Sequence, residues 1–248
     1  MSDTKDPYTV PGLVRGLAVM QVFTPTTPEL SLSEIAVKLE ITRSAAFRSV
    51  HTLVSEGYLL PVRQGNKYRL GPSVMRLSYG YHASRELLEV AHPVLEKLRD
   101  KIDWSTHLGV LDGRHVLYLL RLPAAKGLSS LVHVGSRLPA ATTVMGRILL
   151  AQRSEKQVRQ LYADMDQGSL MRLLETWERD QHADHVQSIG RFESGISSVA
   201  APVLDMSGQV VAAMSATDVT ESVPAFVVDS VQSTAHAISV GLGWRSAL

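Results

Sequence analysis

Cysteine is absent from the 248 residues of this chain, so neither a disulfide framework nor thiol chemistry is available to it. This absence favours a reducing compartment, because structural disulfides persist in oxidising ones. Long apolar runs are lacking too: none approaches the roughly 20 residues that span a bilayer, and the N-terminal MSDTKDPYTV is too polar for a signal-peptide core. We therefore expect a cytoplasmic protein with a mobile tail over residues 1–10.

A strong charge of either sign is also missing, since the formal net charge is +1. A purely architectural DNA-binding protein needs dense positive charge over much of its surface, so this balance argues against that class. The hydrophobic content of 45% is typical of a globular protein, and 248 residues can hold two domains.

The motifs of the common enzyme classes do not occur in the sequence. It contains no Gly-x-Ser-x-Gly nucleophile elbow, no His-Glu-x-x-His zinc motif, no P-loop and no dinucleotide fingerprint. The spacing of His182, Asp184 and His185 could serve a metal, but such a cluster is more often a solvated helix face. We therefore predict a protein that is not an enzyme and has no catalytic residues, metal or cofactor. The alternative is a small-molecule hydrolase with an accessory DNA-binding-like domain, which would show turnover of an ester or amide.

Residues 31–57 have the pattern of a helix-turn-helix, two short amphipathic segments around a three-residue break. Ser31 or Ser33 suits the N-cap of the first helix, with Glu34 in its first turn. Apolar residues at helical spacing give each helix one inward face. These faces are Leu32, Ile35, Ala36 and Leu39 in the first helix, and Ala46, Val50, Leu53 and Val54 in the second.

The outward face of the second helix is rich in hydrogen-bond donors. After a Thr42 cap it carries Arg43, Ser44, Phe47, Arg48 and His51. Arginine can hydrogen-bond to guanine edges in pairs, while hydroxyls and the helix N-terminus hold phosphates. This face predicts a recognition helix for duplex DNA, and a charged, solvated helix face is the alternative.

A basic hairpin is predicted directly downstream. Two short strands, residues 58–62 and 67–70, flank the polar turn 63–66. Between residues 41 and 70 there is a single acidic residue, Glu56, and there are five basic ones: Arg43, Arg48, Arg63, Lys67 and Arg69. Such a local excess supplies salt-sensitive attraction to phosphates, so the hairpin is interpreted as a wing rather than as a solvated loop.

Several segments together resemble one family. The opening GLVRGLAVMQVF, the SLSEIAVKL helix, the TRSAAFRSVHTLVSEGYL helix and the KYRLGPSVMRLS exit resemble the isocitrate lyase regulator (IclR) family of bacterial transcription factors. Further on, HVGSRLPAATTVMGRILLA resembles the segment leading into that family's pocket helix, and ESGISSVAAPVLDMSGQVVAAMSAT resembles its paired pocket strands, so the resemblance covers residues 11–243. Two positions depart from it. Glu40 stands where the turn usually has glycine, which costs up to about 1 kcal/mol if the backbone there is left-handed. Phe47 stands where a polar residue is common, which would change the base preference.

The resemblance implies a winged helix-turn-helix domain over residues 11–72. It also implies a homodimer, or a dimer of dimers, that reads a pseudo-palindromic operator in double-stranded DNA. Base and phosphate contacts are predicted for Arg43, Ser44 and Arg48, thymine-methyl or packing contact for Phe47, and backbone contacts for Thr42, for Arg63 and Lys67 of the wing, and for Arg15 of the first helix.

The rest of the chain is predicted to be a sensor. A helical linker over residues 73–92, interrupted near Ser84 and before Pro93, would carry a change of orientation between domains. Beyond it, strands are predicted at 106–111, 115–122, 128–134, 198–204 and 209–216, and helices at 144–152, 155–163, 170–187 and 224–242. Helices segregated from an antiparallel sheet make an α+β domain over residues 93–248, and the resemblance implies a GAF-like effector-binding domain.

Candidate effector-binding residues come from two arguments. Position by position, the resemblance picks Val144, Met145, Ser197, Ser198, Ser215 and Thr217. Independently, Thr142 and Thr143 precede a helix whose free backbone N–H groups attract a carboxylate, and Ser215 and Thr217 alternate onto one strand face. Val144 and Met145 stand where small residues occur in regulators of two- and three-carbon acids, so they either narrow the pocket or line it for an aromatic ring. The alternatives are ordinary strand residues and a plain helix cap.

These inferences agree on one function. The sequence predicts a transcriptional regulator, a repressor or an activator, whose operator affinity or activity is controlled by a small organic acid, aromatic acids among the candidates.

Overall fold

The computed structural model describes residues 8–62, 66–77, 86–125, 132–189 and 195–245. The chain forms two compact units, one ending at residue 84 and the other beginning at residue 85. Within the described ranges, no helix is long and apolar enough to cross a membrane.

The first unit contains three helices and a small antiparallel sheet with the strand order β1-β3-β2. Its elements are α1 (Pro11–Gln21), β1 (Leu30–Ser31), α2 (Leu32–Lys38), α3 (Arg43–Ser55), β2 (Leu59–Pro61) and β3 (Lys67–Leu70), and residues 73–77 are also helical. The predicted inward faces meet in one core, whose buried side chains include Val19, Phe23, Leu30, Ile35, Ala46, Val50, Leu53 and Leu59. This is the predicted winged helix-turn-helix.

The turn between α2 and α3 has a left-handed residue at its centre. After α2, the Glu40 N–H donates to the Val37 carbonyl and the Ile41 N–H donates to the Ala36 carbonyl, which is the bonding pattern of a Schellman motif. Glu40 occupies the left-handed position with φ = 53°. The condition under which Glu40 would be strained, a left-handed backbone, is therefore met.

The second unit is a six-stranded antiparallel sheet covered by helices, with the strand order β6-β5-β4-β9-β8-β7. Its strands are β4 (Ser105–Asp112), β5 (His115–Leu122), β6 (Arg137–Pro139), β7 (Val186–Ile189), β8 (Ile196–Leu204) and β9 (Val210–Val219). Its helices are α4 (Glu86–Ile102), α5 (Val144–Ala151), α6 (Glu155–Leu161), α7 (Gln167–Asp180) and α8 (Ala225–Gly241). The α+β fold class is confirmed.

The two faces of this sheet have different partners. On one face α4 and α8 pack on the central strands, and the Thr106 hydroxyl donates to the Leu95 carbonyl of α4 across 3.2 Å. On the other face α5 packs on β8 and β9, where Met145 and Ile148 join a buried cluster with Ala200 and Ala213. Because strand residues alternate between faces, His107 and Gly109 of β4 and Ala213, Ser215 and Thr217 of β9 point toward α5.

The second unit begins with α4, and here one prediction is wrong. The expected interruption before Pro93 does not occur, because α4 continues through it. Proline removes a helical hydrogen bond, but the buried face of α4, which includes Leu87, Leu88, Ala91 and Leu95, holds the helix together through packing. The predicted interruption near Ser84 lies outside the described residues. The boundaries 11–72, 73–92 and 93–248 stay predictions.

Two further elements differ from the predictions. The helix expected over residues 170–187 ends at Asp180, and residues 186–189 instead form strand β7. Of the strand expected over 128–134, residues 132–134 are not in a strand, and 128–131 lie outside the described residues. The edge strand on that side is β6, at Arg137–Pro139.

Candidate DNA-binding surface and effector cavity

The exposed N-terminal half of α3 borders a groove in the first unit. The groove runs between α3, the start of α2 and the hairpin of β2 and β3, and Arg43, Ser44, Phe47 and Lys67 line it. All four were predicted DNA contacts. The groove therefore joins recognition-helix and wing side chains on one surface.

Local hydrogen bonds hold this surface in place. The Thr42 hydroxyl accepts the Ala45 N–H across 3.2 Å and caps α3, as predicted. Ser31 and Glu34 form the capping box at the start of α2, and the backbone hydrogen bond from Ser31 holds the pKa of Glu34 below its usual range. Phe47 is 51% exposed, with its ring centroid 5.9 Å from that of His51. An exposed aromatic ring suits contact with a thymine methyl group.

Two other predicted contacts lie elsewhere, and a third is outside the described residues. Arg48 and Arg15 line a different, largely apolar pocket between α1 and α3, together with Leu13 and Leu17. The buried Nε of Arg15 has no hydrogen-bond partner among the described residues. Arg63 lies outside the described residues. The DNA contacts proposed for these arginines stay predictions.

A partly enclosed cavity of about 80 Å³ lies in the second unit between the sheet and the start of α5. Six of the eight predicted effector-binding residues line it: Thr142, Thr143, Val144, Ser198, Ser215 and Thr217. Some lining residues were not predicted. In the groove beside α3 these are Ser33 and Tyr68, and in the cavity they include Leu138, Ser188 and Ile196.

The other two predicted residues do not line the cavity. Met145 is buried in the cluster behind it, where its side chain approaches Gly109. Ser197 faces the opposite side of β8 from Ser198, and its hydroxyl donates to the Thr220 carbonyl across 2.6 Å. Strand alternation explains why neighbouring serines separate in this way.

The polar wall of the cavity is a row of hydroxyls. Ser198 and Thr217 are paired across β8 and β9, with their hydroxyl oxygens 3.0 Å apart. Ser215 lies two residues from Thr217 on the same face and is buried. These hydroxyls can donate hydrogen bonds to an acidic ligand.

The N-terminus of α5 forms another wall. Thr143 caps the helix by accepting the Gly146 N–H across 3.2 Å. The first N–H groups of any helix lack partners within it, and here they belong to cavity residue Val144 and its neighbour Met145. Gly146 permits this placement, because an added Cβ would lie 2.2 Å from the Ala140 carbonyl oxygen. A buried ion pair between Arg147 and Asp180, at 2.7 Å, joins α5 to α7.

The most unusual residues of the cavity were missed. His107 is 4% exposed, and neither ring nitrogen has a hydrogen-bond partner among the described residues. Burial, with a smaller contribution from Arg121, lowers the pKa of His107 to about 4. Tyr118 packs edge-on against His107, and burial raises its pKa to about 12. A histidine in an apolar strand pattern gave the only signal in the sequence, and the pattern alone did not reveal a cavity.

The fold and the groove beside α3 define a winged helix-turn-helix DNA-binding protein with a second domain that contains a cavity. The chain belongs to the IclR family of bacterial transcriptional regulators. Residues 12–62 match the IclR helix-turn-helix domain, and residues 79–184 match the bacterial transcriptional regulator IclR C-terminal domain. The resemblance inferred from the sequence is thereby confirmed.

Named relatives agree with this assignment. The Pca regulon regulatory protein of Pseudomonas putida is 34% identical over 220 residues, covering 85% of this chain and 75% of that protein. The p-hydroxybenzoate hydroxylase transcriptional activator of Acinetobacter baylyi is 29% identical over 239 residues, covering 90% of this chain and 86% of that protein. The chain is a DNA-binding transcriptional regulator.

A solved structure shows the same fold. The crystal structure of an IclR homolog from Microbacterium hydrocarbonoxydans, complexed with 4-hydroxybenzoate, has a TM-score of 0.80 with 26% sequence identity. The match covers 93% of this chain and 98% of that one.

Proposed function

We propose that this regulator reads a specific operator and that a small aromatic carboxylic acid, bound in the cavity of the second unit, controls its operator affinity. The observation that carries the proposal is the cavity itself, in which hydroxyl donors and a helix N-terminus face one buried space.

The cavity chemistry supports a carboxylate. The partial positive charge at the N-terminus of α5 favours an anion, and the N–H groups of Val144 and Met145 have no partner within the helix. Thr142 and Thr217 add hydroxyl donors. We assign the carboxylate to this end of the cavity.

An aromatic ring is supported by the apolar lining and by the relatives. Tyr118, Leu138, Val144 and Ile196 supply apolar surface beside the hydroxyls. The Acinetobacter relative is a p-hydroxybenzoate hydroxylase activator by name, and the solved Microbacterium homolog contains 4-hydroxybenzoate. A cavity of about 80 Å³ is smaller than the roughly 150 Å³ that can hold benzene, so binding requires lining side chains to move outward.

On the DNA side, we propose a homodimer, or a dimer of dimers, that reads a pseudo-palindrome in double-stranded DNA in the cytoplasm. Arg43, Ser44 and Phe47 would contact bases and nearby phosphates, and Thr42 and Lys67 would contact the DNA backbone. Arg48, Arg15 and Arg63 keep the contacts predicted for them from the sequence.

The first experiment is selection of genomic DNA fragments by the purified full chain. One dominant pseudo-palindrome is expected, and binding of all fragments alike would contradict sequence-specific reading. The operator, labelled for fluorescence anisotropy, is then titrated with protein in the presence and absence of 4-hydroxybenzoate. A shift of the operator Kd by about 5- to 150-fold is the expected range for allosteric coupling.

Matched variants locate the effect. Thr217→Val removes a cavity hydroxyl, whereas Thr176→Val removes a half-buried hydroxyl on α7 that donates to the Arg172 carbonyl. Only Thr217→Val should weaken the response to the acid. We further propose that the acid is released unchanged, so chromatographic detection of a converted product would favour the hydrolase alternative.

A further inference from the structure

Half of the buried side-chain atoms without hydrogen-bond partners in the described part of the chain belong to one cavity. They are Nδ1 and Nε2 of His107 and Oγ of Ser188, and both residues line the effector cavity. Buried polar atoms are paired in most proteins, so such a group of unpaired atoms indicates a missing partner. A ligand in the cavity would supply it.

The surroundings of His107 fix its chemical form. In the sheet it lies opposite Arg121 of β5 on one side and Ser215 of β9 on the other, with Tyr118 edge-on to its ring. The Arg121 guanidinium repels a second positive charge, and the phenol of Tyr118 stays neutral because burial raises its pKa. No carboxylate lines the cavity within the described residues. His107 is therefore a neutral imidazole, with one nitrogen that donates and one that accepts.

We propose that His107 determines the specificity of the cavity by hydrogen bonding to a ring hydroxyl of the effector, so that hydroxybenzoates are selected over benzoate. This inference rests on the proposed function and deepens it. The N-terminus of α5, with Thr142 and Thr217, satisfies the carboxylate, which leaves the imidazole to a neutral group. A phenolic hydroxyl can donate to the accepting nitrogen of the imidazole or accept from the protonated one.

Selectivity is expected because an acid without a ring hydroxyl would leave buried polar atoms of the cavity without a hydrogen-bond partner. Benzoate would fill the apolar part of the cavity yet leave the His107 nitrogen unpaired and buried. Sites built to bond a ligand hydroxyl reject the analogue that lacks it for this reason.

The test is isothermal titration calorimetry of the full chain with benzoate, 3-hydroxybenzoate and 4-hydroxybenzoate at pH 7.5. The wild type should prefer at least one hydroxybenzoate over benzoate by about tenfold or more. His107→Phe, which keeps the volume and removes both nitrogens, should reduce that ratio to about threefold or less. His107→Gln retains a donor and an acceptor and should keep part of the preference, which also serves if the Phe variant does not fold.

His115→Phe is the matched control. His115 lies on β5 outside the cavity and also has a buried Nδ1 without a partner in the described residues. The hydroxybenzoate preference should be unchanged in this variant. An unchanged preference in His107→Phe would overturn the inference and leave the proposed function standing.

Two other outcomes would overturn the inference in different ways. If the wild type binds none of the three acids, the proposed aromatic effector fails and the inference fails with it. If benzoate affinity rises in the wild type but not in His107→Gln between pH 7.5 and pH 5.5, His107 pairs with the carboxylate as an imidazolium. That result would overturn the assignment to the hydroxyl.

Discussion

At the residue scale, burial of His107 gives the fold a specific dependence on pH. The pKa of this histidine falls from 6.5 to about 4 in the folded protein, so between these values the unfolded chain binds a proton that the folded chain does not. Stability therefore decreases as the pH falls from about 6.5 to about 4, by up to roughly 3 kcal/mol, and the loss is complete below that window.

Urea denaturation at pH 7, 5.5 and 4.5 measures this effect. The wild type should lose more stability than His107→Phe over the series, because the variant lacks the imidazole that is buried in its neutral form and is protonated on unfolding. Parallel losses in the two proteins would show that His107 is not buried in its neutral form.

Val144 controls the width of the cavity in the same region. It is buried and lines the cavity at the first residue of α5. We expect Val144→Ala to cost about 1 to 3 kcal/mol of stability and to increase affinity for acids larger than benzoate, such as naphthoates. Val227→Ala, at a buried position on α8, should cost similar stability without changing ligand preference. Calorimetric titration of both variants checks this, and equal ligand profiles would mean that Val144 does not limit the cavity.

The cavity hydroxyls could be predicted from the sequence, but its unpaired groups could not. Ser198, Ser215 and Thr217 stood in segments with a family resemblance and on a predictable strand face. His107 and Ser188 reach the same space only because β4 and β7 join the sheet at particular registers. Strand register is set by long-range packing, which local periodicity does not record.

At the scale of elements, the two helices of the helix-turn-helix end with the same motif and different residues. Gly57 follows α3 with φ = 74°, and Glu40 follows α2 with φ = 53°. In both cases the N–H of the left-handed residue and the N–H of the residue after it donate to carbonyls of the preceding helix, so the motif itself is equivalent. The left-handed backbone suits glycine and strains glutamate.

Glu40→Gly is therefore expected to stabilise the protein by up to about 1 kcal/mol, partly offset by the greater freedom of glycine in the unfolded chain. Gly57→Ala should destabilise, since it adds strain and places a Cβ 2.8 Å from the Ser73 hydroxyl oxygen. Chemical denaturation of both variants measures the difference, and destabilisation by Glu40→Gly would mean that the glutamate side chain makes a stabilising contact.

Long elements followed from the sequence better than short ones. The predicted strand at His115–Leu122 matches β5 at both ends, and the helix predicted over residues 144–152 matches α5 to within one residue. By contrast β1, β6 and β7 span four residues or fewer and lie at the edges of their sheets. Segments this short have too few residues for a periodic pattern, and they become strands because a neighbouring strand supplies hydrogen bonds.

At the scale of the whole molecule, a nearly neutral chain places two of its predicted phosphate-binding charges on one small surface. Arg43 and Lys67 both line the groove of the first unit, although the net charge is only +1. We expect Lys67→Ala to weaken binding to all DNA sequences and to lower the salt slope by about 0.9, because one phosphate contact is lost. Arg43→Ala should cost about 1 to 3 kcal/mol on the operator and less on random DNA.

Anisotropy titrations at several salt concentrations separate the two roles. Lys97→Ala, on the exposed side of α4, is the control for net charge and should leave both slopes unchanged. Equal losses on operator and random DNA for Arg43→Ala would contradict its role in reading bases.

The close approach of Gly146 to Ala140 has a practical consequence. The glycine lets the helix N-terminus lie directly against the chain that enters it, so the cavity wall at the start of α5 is built from backbone. Leu138, Val144 and Ile196 line the same cavity with exchangeable side chains. Under the proposed function, substitutions confined to these three side chains would leave the carboxylate-binding end intact and change only the rest of the ligand. The domain would then serve as a scaffold for genetically encoded biosensors of aromatic acids.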